Sequence, residues 1–298
     1  MISAESVKDR LRNYAAVNGK SIQEILIAYG LERTIYRLSV SEYAERFTLK
    51  GGVFLYALFN GDFMRVTRDI DLLAMNTSNS VSGIRRMFTD IFSIQTDDAL
   101  RYDLNTLEVR TITEFKEYHG VNVSIMSFLD RTRIPVSIDI GFGDTVYPDR
   151  VWMEFPVLLD MPVPLIHVYS IESVVAEKFE AIVSLGDANS RYKDFYDIYM
   201  LAERYTFKGE LLQAAIQETF SHRQTTFDDI YAFKDDFLKS GLHQRRWNAF
   251  LTKKSAAEKI SLEETIMRLK GLLLPIVDSM NEEKILTREW CPDTQSWV

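Results

Sequence analysis

The chain has 298 residues, 46% hydrophobic and 26% charged, with 13 glycines, 7 prolines and a formal net charge of −8. That composition excludes collagenous, disordered and disulfide-stapled proteins and is large enough for two packed domains, while the only cysteine, Cys291, precludes an intramolecular disulfide or a thiolate metal cluster and suits a reducing cytosol. The acidic balance disfavours indiscriminate nucleic-acid binding, no apolar run nears the roughly 20 residues that span a bilayer, and the N-terminus lacks the apolar core of a secretory signal, so a soluble cytoplasmic protein is expected.

From Ser21, the apolar residues Ile22, Ile25, Leu26 and Tyr29 recur at helical spacing, and a second helical stretch is predicted over residues 32–46. Phe47-Thr-Leu-Lys50 reads as a short strand, interrupted by Gly51-Gly52 and followed by a buried helix that ends near Asn60-Gly61. Residues 69–74 form a strand candidate and 81–94 a helix, after which 107–112, 121–129, 134–140 and 155–159 are β-rich runs. Beyond Tyr169 the pattern turns helical. Ser170 caps a helix to about residue 185, a polar turn precedes another helix to about 205, and three or four more run to about 280. The expected fold is α/β (α+β). A mixed-sheet domain with N-terminal helices spans 1–165, a helical domain spans 166–298, and the active site lies in the cleft between them. The last 20 residues receive no assignment.

Arg65-Val-Thr-Arg-Asp69-Ile-Asp71-Leu72 is the most informative segment. Side chains two apart on a strand share a face, so Asp69 and Asp71 project together while Ile70 and Leu72 enter the core. Parallel carboxylates repel, and a divalent cation between them relieves the repulsion; Mg2+ or Mn2+, with water and phosphate oxygens completing the shell, suits such hard donors. An Asx turn with two solvated acids fits the short string about as well. Asp139, flanked by Ile138 and Ile140, shifts the balance, because a carboxylate in a central strand is costly unless paired or metal-bound. If its strand adjoins that of Asp69 and Asp71, the three acids converge as metal-assisted nucleotidyl transfer requires; an acid at an exposed strand end, bonded to an arginine, is the alternative. Leu49-Lys50-Gly51-Gly52 ends 17 residues before Asp69 and opens a helix, where consecutive glycines allow close approach of a phosphate to unpaired N–H groups and Lys50 adds charge. A tight strand-to-helix turn would explain the glycines alone.

In this order and spacing the segments resemble the fingerprint of the nucleotidyltransferase superfamily related to DNA polymerase beta. More narrowly, Lys50-Gly51-Gly52 with Arg65-x-Thr67-x-Asp69-Ile70-Asp71 resembles the AbiEii-type abortive-infection toxins, including the MenT-type toxins, and Ala176-Glu177-Lys178-Phe179 and Arg191-Tyr-Lys193-Asp194-Phe-Tyr-Asp197 resemble that family's helical motifs. Gly52 stands where many superfamily members carry serine, which removes one hydroxyl contact to phosphate and leaves the backbone site. The resemblance implies that Asp69 and Asp71 hold a metal ion bridging the nucleotide phosphates, that Asp139 completes the site and helps deprotonate the attacking hydroxyl, and that Lys178 is a triphosphate ligand. It further implies that Asp194 and Asp197, one turn apart, orient Lys178 or Arg191, and that Arg65 and Thr67 reach the γ-phosphate; charged residues so spaced also form the wet side of many helices. The implied reaction transfers a nucleotide from an NTP to an RNA acceptor such as the tRNA 3′ end, blocking translation, with a cognate antitoxin as the partner.

Other signals carry less. Asn18-Gly19-Lys20-Ser21 lacks the first glycine and the preceding strand of a P-loop, the four histidines have no metal-ligand spacing, and Gly141-Phe-Gly143 lacks the third glycine of a dinucleotide site, with Gly143-Asp144 reading as a turn. Residues 239–270 hold eight Lys or Arg against three Glu, so His243, Arg245, Arg246 and Trp247 could dock a phosphate backbone and stack a base; a solvated helix with Trp247 in the core is the other reading. Two further functions fit the same residues: nucleotide transfer to a small molecule such as an aminoglycoside, and nucleotide binding without turnover.

Overall fold

The computed structural model describes residues 2–61, 68–113, 119–227, 229–252 and 260–298. They divide into two compact units, Met1–Asp144 with Val151–Tyr169, and Thr145–Arg150 with Ser170–Val298.

The first unit opens with α1 (Ala4–Val17) and α2 (Ile22–Ser39). Ser21 starts α2 through a reciprocal capping box with Glu24, satisfying two otherwise orphaned N–H groups. The helix then continues through the break expected near residue 32. Glu32, Arg33 and Arg37 interrupt the apolar pattern, yet all three are buried and matched with partners. Arg37 makes a two-pronged bond to Asp98, at 2.6 and 3.0 Å, and donates to the Leu100 carbonyl at 3.0 Å. Arg33 pairs with Glu32 at 2.8 Å, and Glu32 accepts the Leu158 N–H at 2.7 Å. Burial pushes the Glu32 carboxyl up to about 7, against the opposing pull of Arg33.

Seven strands form one mixed sheet: β1 (Phe47–Lys50), β2 (Asp69–Ala74), β3 (Leu100–Thr113), β4 (His119–Leu129), β5 (Thr132–Phe142), β6 (Val151–Glu154) and β7 (Leu165–Val168), in the order β3-β4-β5-β2-β1-β7-β6. β2 runs parallel to β5 and antiparallel to β1, and β7 is parallel to β1. Between strands lie α3 (Gly51–Leu58) and α4 (Val81–Ser93). Register decides the faces. Leu49 pairs with Leu72 and with Val168, and Leu72 with Ile140, so these buried side chains share the core face. α2 packs on that face, where a Cβ on Gly30 would lie 2.6 Å from Ile134 Cγ2, so a larger residue would push the helix off the sheet. Lys50, Asp71 and Asp139 stand on the other face. Residues 155–159 are not the expected strand: Phe155, Leu158 and Leu159 are buried loop residues, and Pro156 denies the segment a ladder donor.

The second unit is largely helical, with α5 (Ile171–Leu185), α6 (Tyr192–Arg204), α7 (Gly209–Arg223), α8 (Asp235–Lys239), α9 (Gly241–Thr252) and α10 (Leu262–Asn281). The unassigned C-terminus is ordered by packing. β9 (Glu289–Cys291) joins β8 (Phe207–Lys208) and β10 (Ser296–Trp297), while buried Trp290 donates to the Ala202 carbonyl at 2.8 Å. Among the described residues, no helix is long and apolar enough to cross a membrane.

Arg37→Met leaves Asp98 ionised and buried without its guanidinium. We expect a loss of about 3–5 kcal/mol, read as a lower urea midpoint in equilibrium unfolding; an unchanged midpoint would show the pair to be dispensable.

Candidate active site

The turn from β1 into α3 is built around Asp71. Gly51 adopts φ +65°, a region that penalises any side chain, and its missing Cβ is where the Asp71 carboxylate sits. The next residue, Gly52, directs its N–H to Asp71 Oδ2 at 3.3 Å. The glycine pair thus gives the positive end of a helix to a carboxylate of the same unit, a use that the sequence pattern did not indicate.

Asp71 is also the register partner of Lys50 on one side and of Asp139 on the other. Residues directly paired on neighbouring parallel strands lie about 4.8 Å apart and point to the same face, so Asp71 and Asp139 stand side by side. Both are partly exposed. Asn122 on β4 donates to Asp139 Oδ1 at 2.7 Å and to Ser137 Oγ at 3.0 Å, fixing the Asp139 rotamer from the adjacent strand. Asp69 lies opposite Ser137 at the exposed start of β2. Among the described residues, no group of three or more His, Cys, Asp or Glu is placed to hold a metal ion. The donor chemistry of Asp71 and Asp139 fits a hard divalent cation, with water or phosphate oxygens needed to fill most of its shell. Arg65 and Thr67 lie outside the described residues.

Lys50 has a partner that its motif did not reveal. Gly143, at φ +84°, turns the chain after β5 and brings Asp144 back, so that Lys50 Nζ lies 2.7 Å from Asp144 Oδ2 and 3.3 Å from the Tyr169 hydroxyl. Gly143 lies in a bend rather than the expected turn, and the bend gives Asp144 a side-chain role. Asn122 and Asp144 were missed because neither sits in a motif; a polar residue midway along the apolar-alternating run 121–125 was the available signal for Asn122.

In the second unit, Lys178 on α5 bridges two carboxylates of α6, Asp194 at 3.0 Å and Asp197 at 2.8 Å, and Arg191 Nε binds Asp194 at 2.8 Å. Both aspartates are fully buried. They are therefore not the wet side of their helix, and the Lys178 ammonium is fixed rather than snorkelling. Burial alone would raise the Asp194 carboxyl, but the charges of Lys178 and Arg191 outweigh it and hold the group below the ordinary carboxylate range. In the basic segment, Trp247 is buried with its Nε1 given to the Ile260 carbonyl at 2.9 Å, and His243 is buried between Tyr192, at 2.6 Å, and Asp187, at 3.3 Å. Neither ring is available to stack a base. Lys253, Lys254 and Lys259 lie outside the described residues.

Removing the Lys178 charge strands two buried carboxylates. Lys178→Met should therefore cost about 3–5 kcal/mol of stability, so its activity must be read beside a urea unfolding curve; a variant as stable as the parent would mean that the aspartates find other partners. The depressed Asp194 carboxyl also sets a pH limit. Its folded value lies below the unfolded value of about 3.9, so its contribution is complete above that pH and disappears as the pH falls through the folded value. Urea midpoints measured between pH 6 and pH 2 should fall below about pH 4 less steeply in Asp194→Asn than in the parent. Parallel curves would assign the acid sensitivity elsewhere.

No curated protein matches the chain. Among solved structures, an H. pylori protein reported as a candidate nucleotidyltransferase aligns with TM-score 0.47 and 14% identity over 86% of this chain and 95% of that one. JHP933 from Helicobacter pylori aligns with TM-score 0.45 and 14% identity over 87% and 94%. The family described as "Nucleotidyl transferase AbiEii toxin, Type IV TA system" matches residues 33–266, which hold β1 with its glycine turn, both acidic strands and the Lys178 and Asp194 helices. The chain belongs to the AbiEii family of nucleotidyl transferase toxins of type IV toxin–antitoxin systems.

Proposed function

We propose that the protein transfers a nucleotide from an NTP to the hydroxyl of an RNA acceptor, the tRNA 3′ end being the acceptor most consistent with its family, and that it arrests translation until a cognate antitoxin relieves the block. The observation that carries this reading is the side-by-side placement of Asp71 and Asp139, with the glycine turn closed against Asp71. Asp71 and Asp139, with Asp69 beside them, would hold Mg2+ or Mn2+, which when bound neutralises charge on the phosphates. Asp139 accepts the proton of the attacking hydroxyl as its oxygen bonds to the α-phosphorus, and the bond to the β-phosphate oxygen breaks to release pyrophosphate. Asn122 holds Asp139 in the rotamer for that task. Lys178 is the proposed triphosphate ligand, and Asp194 and Asp197 act through it by fixing its ammonium. Arg191, Lys50, Gly51, Gly52, Arg65 and Thr67 complete the proposed nucleotide contacts.

Labelled NTPs incubated with total RNA should label RNA, and Asp139→Ala should lower the rate by about 10²–10⁴-fold while the protein stays folded. In cells, mass analysis of RNA after induced expression should show an added nucleotide that Asp139→Ala does not produce. Labelled aminoglycoside with unlabelled RNA would favour the small-molecule reaction. Growth arrest that survives Asp139→Ala would favour nucleotide binding without turnover.

A further inference from the structure

We propose that Asp144 is a positioning residue of this site. It holds the Lys50 ammonium at the Gly141 end of β5 and so keeps that ammonium from closing an ion pair onto Asp71 or Asp139; the inference rests on reading the edge formed by those two acids as a divalent-cation site.

Lys50 is directly opposite Asp71 in the β1–β2 pair, and its side chain leaves the same face of the sheet. Paired residues of antiparallel strands lie within about 5.5 Å, and a flexible four-carbon stem lets a lysine ammonium reach any anion in such a neighbourhood. A cation tethered there would compete with a metal ion for the same carboxylate oxygens. The structure shows where the ammonium goes. It crosses toward β5, 2.7 Å from Asp144 and 3.3 Å from the Tyr169 hydroxyl, which accounts for two of its three donors. Gly141 leaves the space: a Cβ there would sit 3.8 Å from Lys50 Nζ and 3.5 Å from Asp144 Oδ2, so a longer side chain would intrude on the pair. Tyr169 is buried, and its N–H is bonded to the Leu49 carbonyl at 3.0 Å, so its hydroxyl is a fixed acceptor. The pair is mostly shielded from solvent, with Lys50 16% and Asp144 21% exposed, so salt screens it less than a surface pair.

A double-mutant cycle read by Mn2+ affinity, without nucleotide or acceptor, separates positioning from simple charge. If Asp144 acts by holding Lys50, Asp144→Ala frees the ammonium and weakens Mn2+ binding by about tenfold, whereas in the Lys50→Met background the same change weakens it by less than about threefold. Equal losses in both backgrounds would reduce Asp144 to one more negative charge, and no loss in either would remove it from the site; both results overturn the proposal. Tyr169→Phe deletes only the hydroxyl and should shift Mn2+ affinity in the same direction by a smaller factor, which carries the test should Asp144→Ala not fold. Absence of Mn2+ binding by the parent protein would defeat the cation-site reading itself, a result distinct from binding that is present but indifferent to Asp144.

Discussion

The site depends on one pairing, that of Asp71 with Asp139 across two parallel strands. Like charges placed directly opposite each other destabilise a sheet, so the fold must supply donors to both, and each donor comes from a neighbouring element. Gly52 at the start of α3 gives an N–H to Asp71, and Asn122 on β4 gives its amide to Asp139. Both acids remain partly exposed. The result is a fixed pair of partly exposed anions on one face of the sheet, hard oxygen donors of the kind that suit a divalent cation.

Burial sorts the carboxylates by the work they can do. Asp194 and Asp197 have no solvent exposure and are matched by Lys178, so they cannot themselves touch a nucleotide; they act on the ammonium. Asp98 is equally enclosed and matched by Arg37 within the first unit. Asp69, Asp71 and Asp139 keep access to solvent. A buried ion pair adds little net stability but is costly to break, so the enclosed acids make their lysine or arginine hard to move, while the open ones face solvent, where a ligand can reach them.

Much of this was legible in the sequence. Period-two alternation located the strands of Asp71 and Asp139, Ser170 located the start of α5, and the order of glycine pair, paired acids and lone acid indicated the chemistry. What escaped was set by tertiary contacts. α2 looked broken because Glu32, Arg33 and Arg37 are polar, and nothing local indicates that Asp98, 61 residues from Arg37, satisfies it inside the core. The run at 155–159 looked like a strand because its apolar residues are core residues, and only its packing shows that they are buried from a loop. The three-strand C-terminal sheet was hidden because two of its strands are too short to show a period. Asp144 escaped because a loop residue has no periodic neighbours to mark its direction.

Register, more than motif spacing, is what the chemistry constrains. Side chains alternate faces along a strand, so slipping β2 by one residue against β1 and β5 would turn Asp69 and Asp71 into the core beneath α2 and set Ile70 and Leu72 on the open face. Burial on one side prevents that slip. Ile70 and Leu72 are almost wholly enclosed, Leu72 against Leu49 on one strand and Ile140 on the other. Exposing two such residues costs about 3–6 kcal/mol before the penalty of burying two carboxylates is added. Gly51 adds a second lock, because its positive φ and absent Cβ fit only a chain in which Asp71 is the residue facing Lys50. The hydrophobic core on one face of the sheet thereby holds the charged group on the other in place, and the acids need not stabilise their own arrangement.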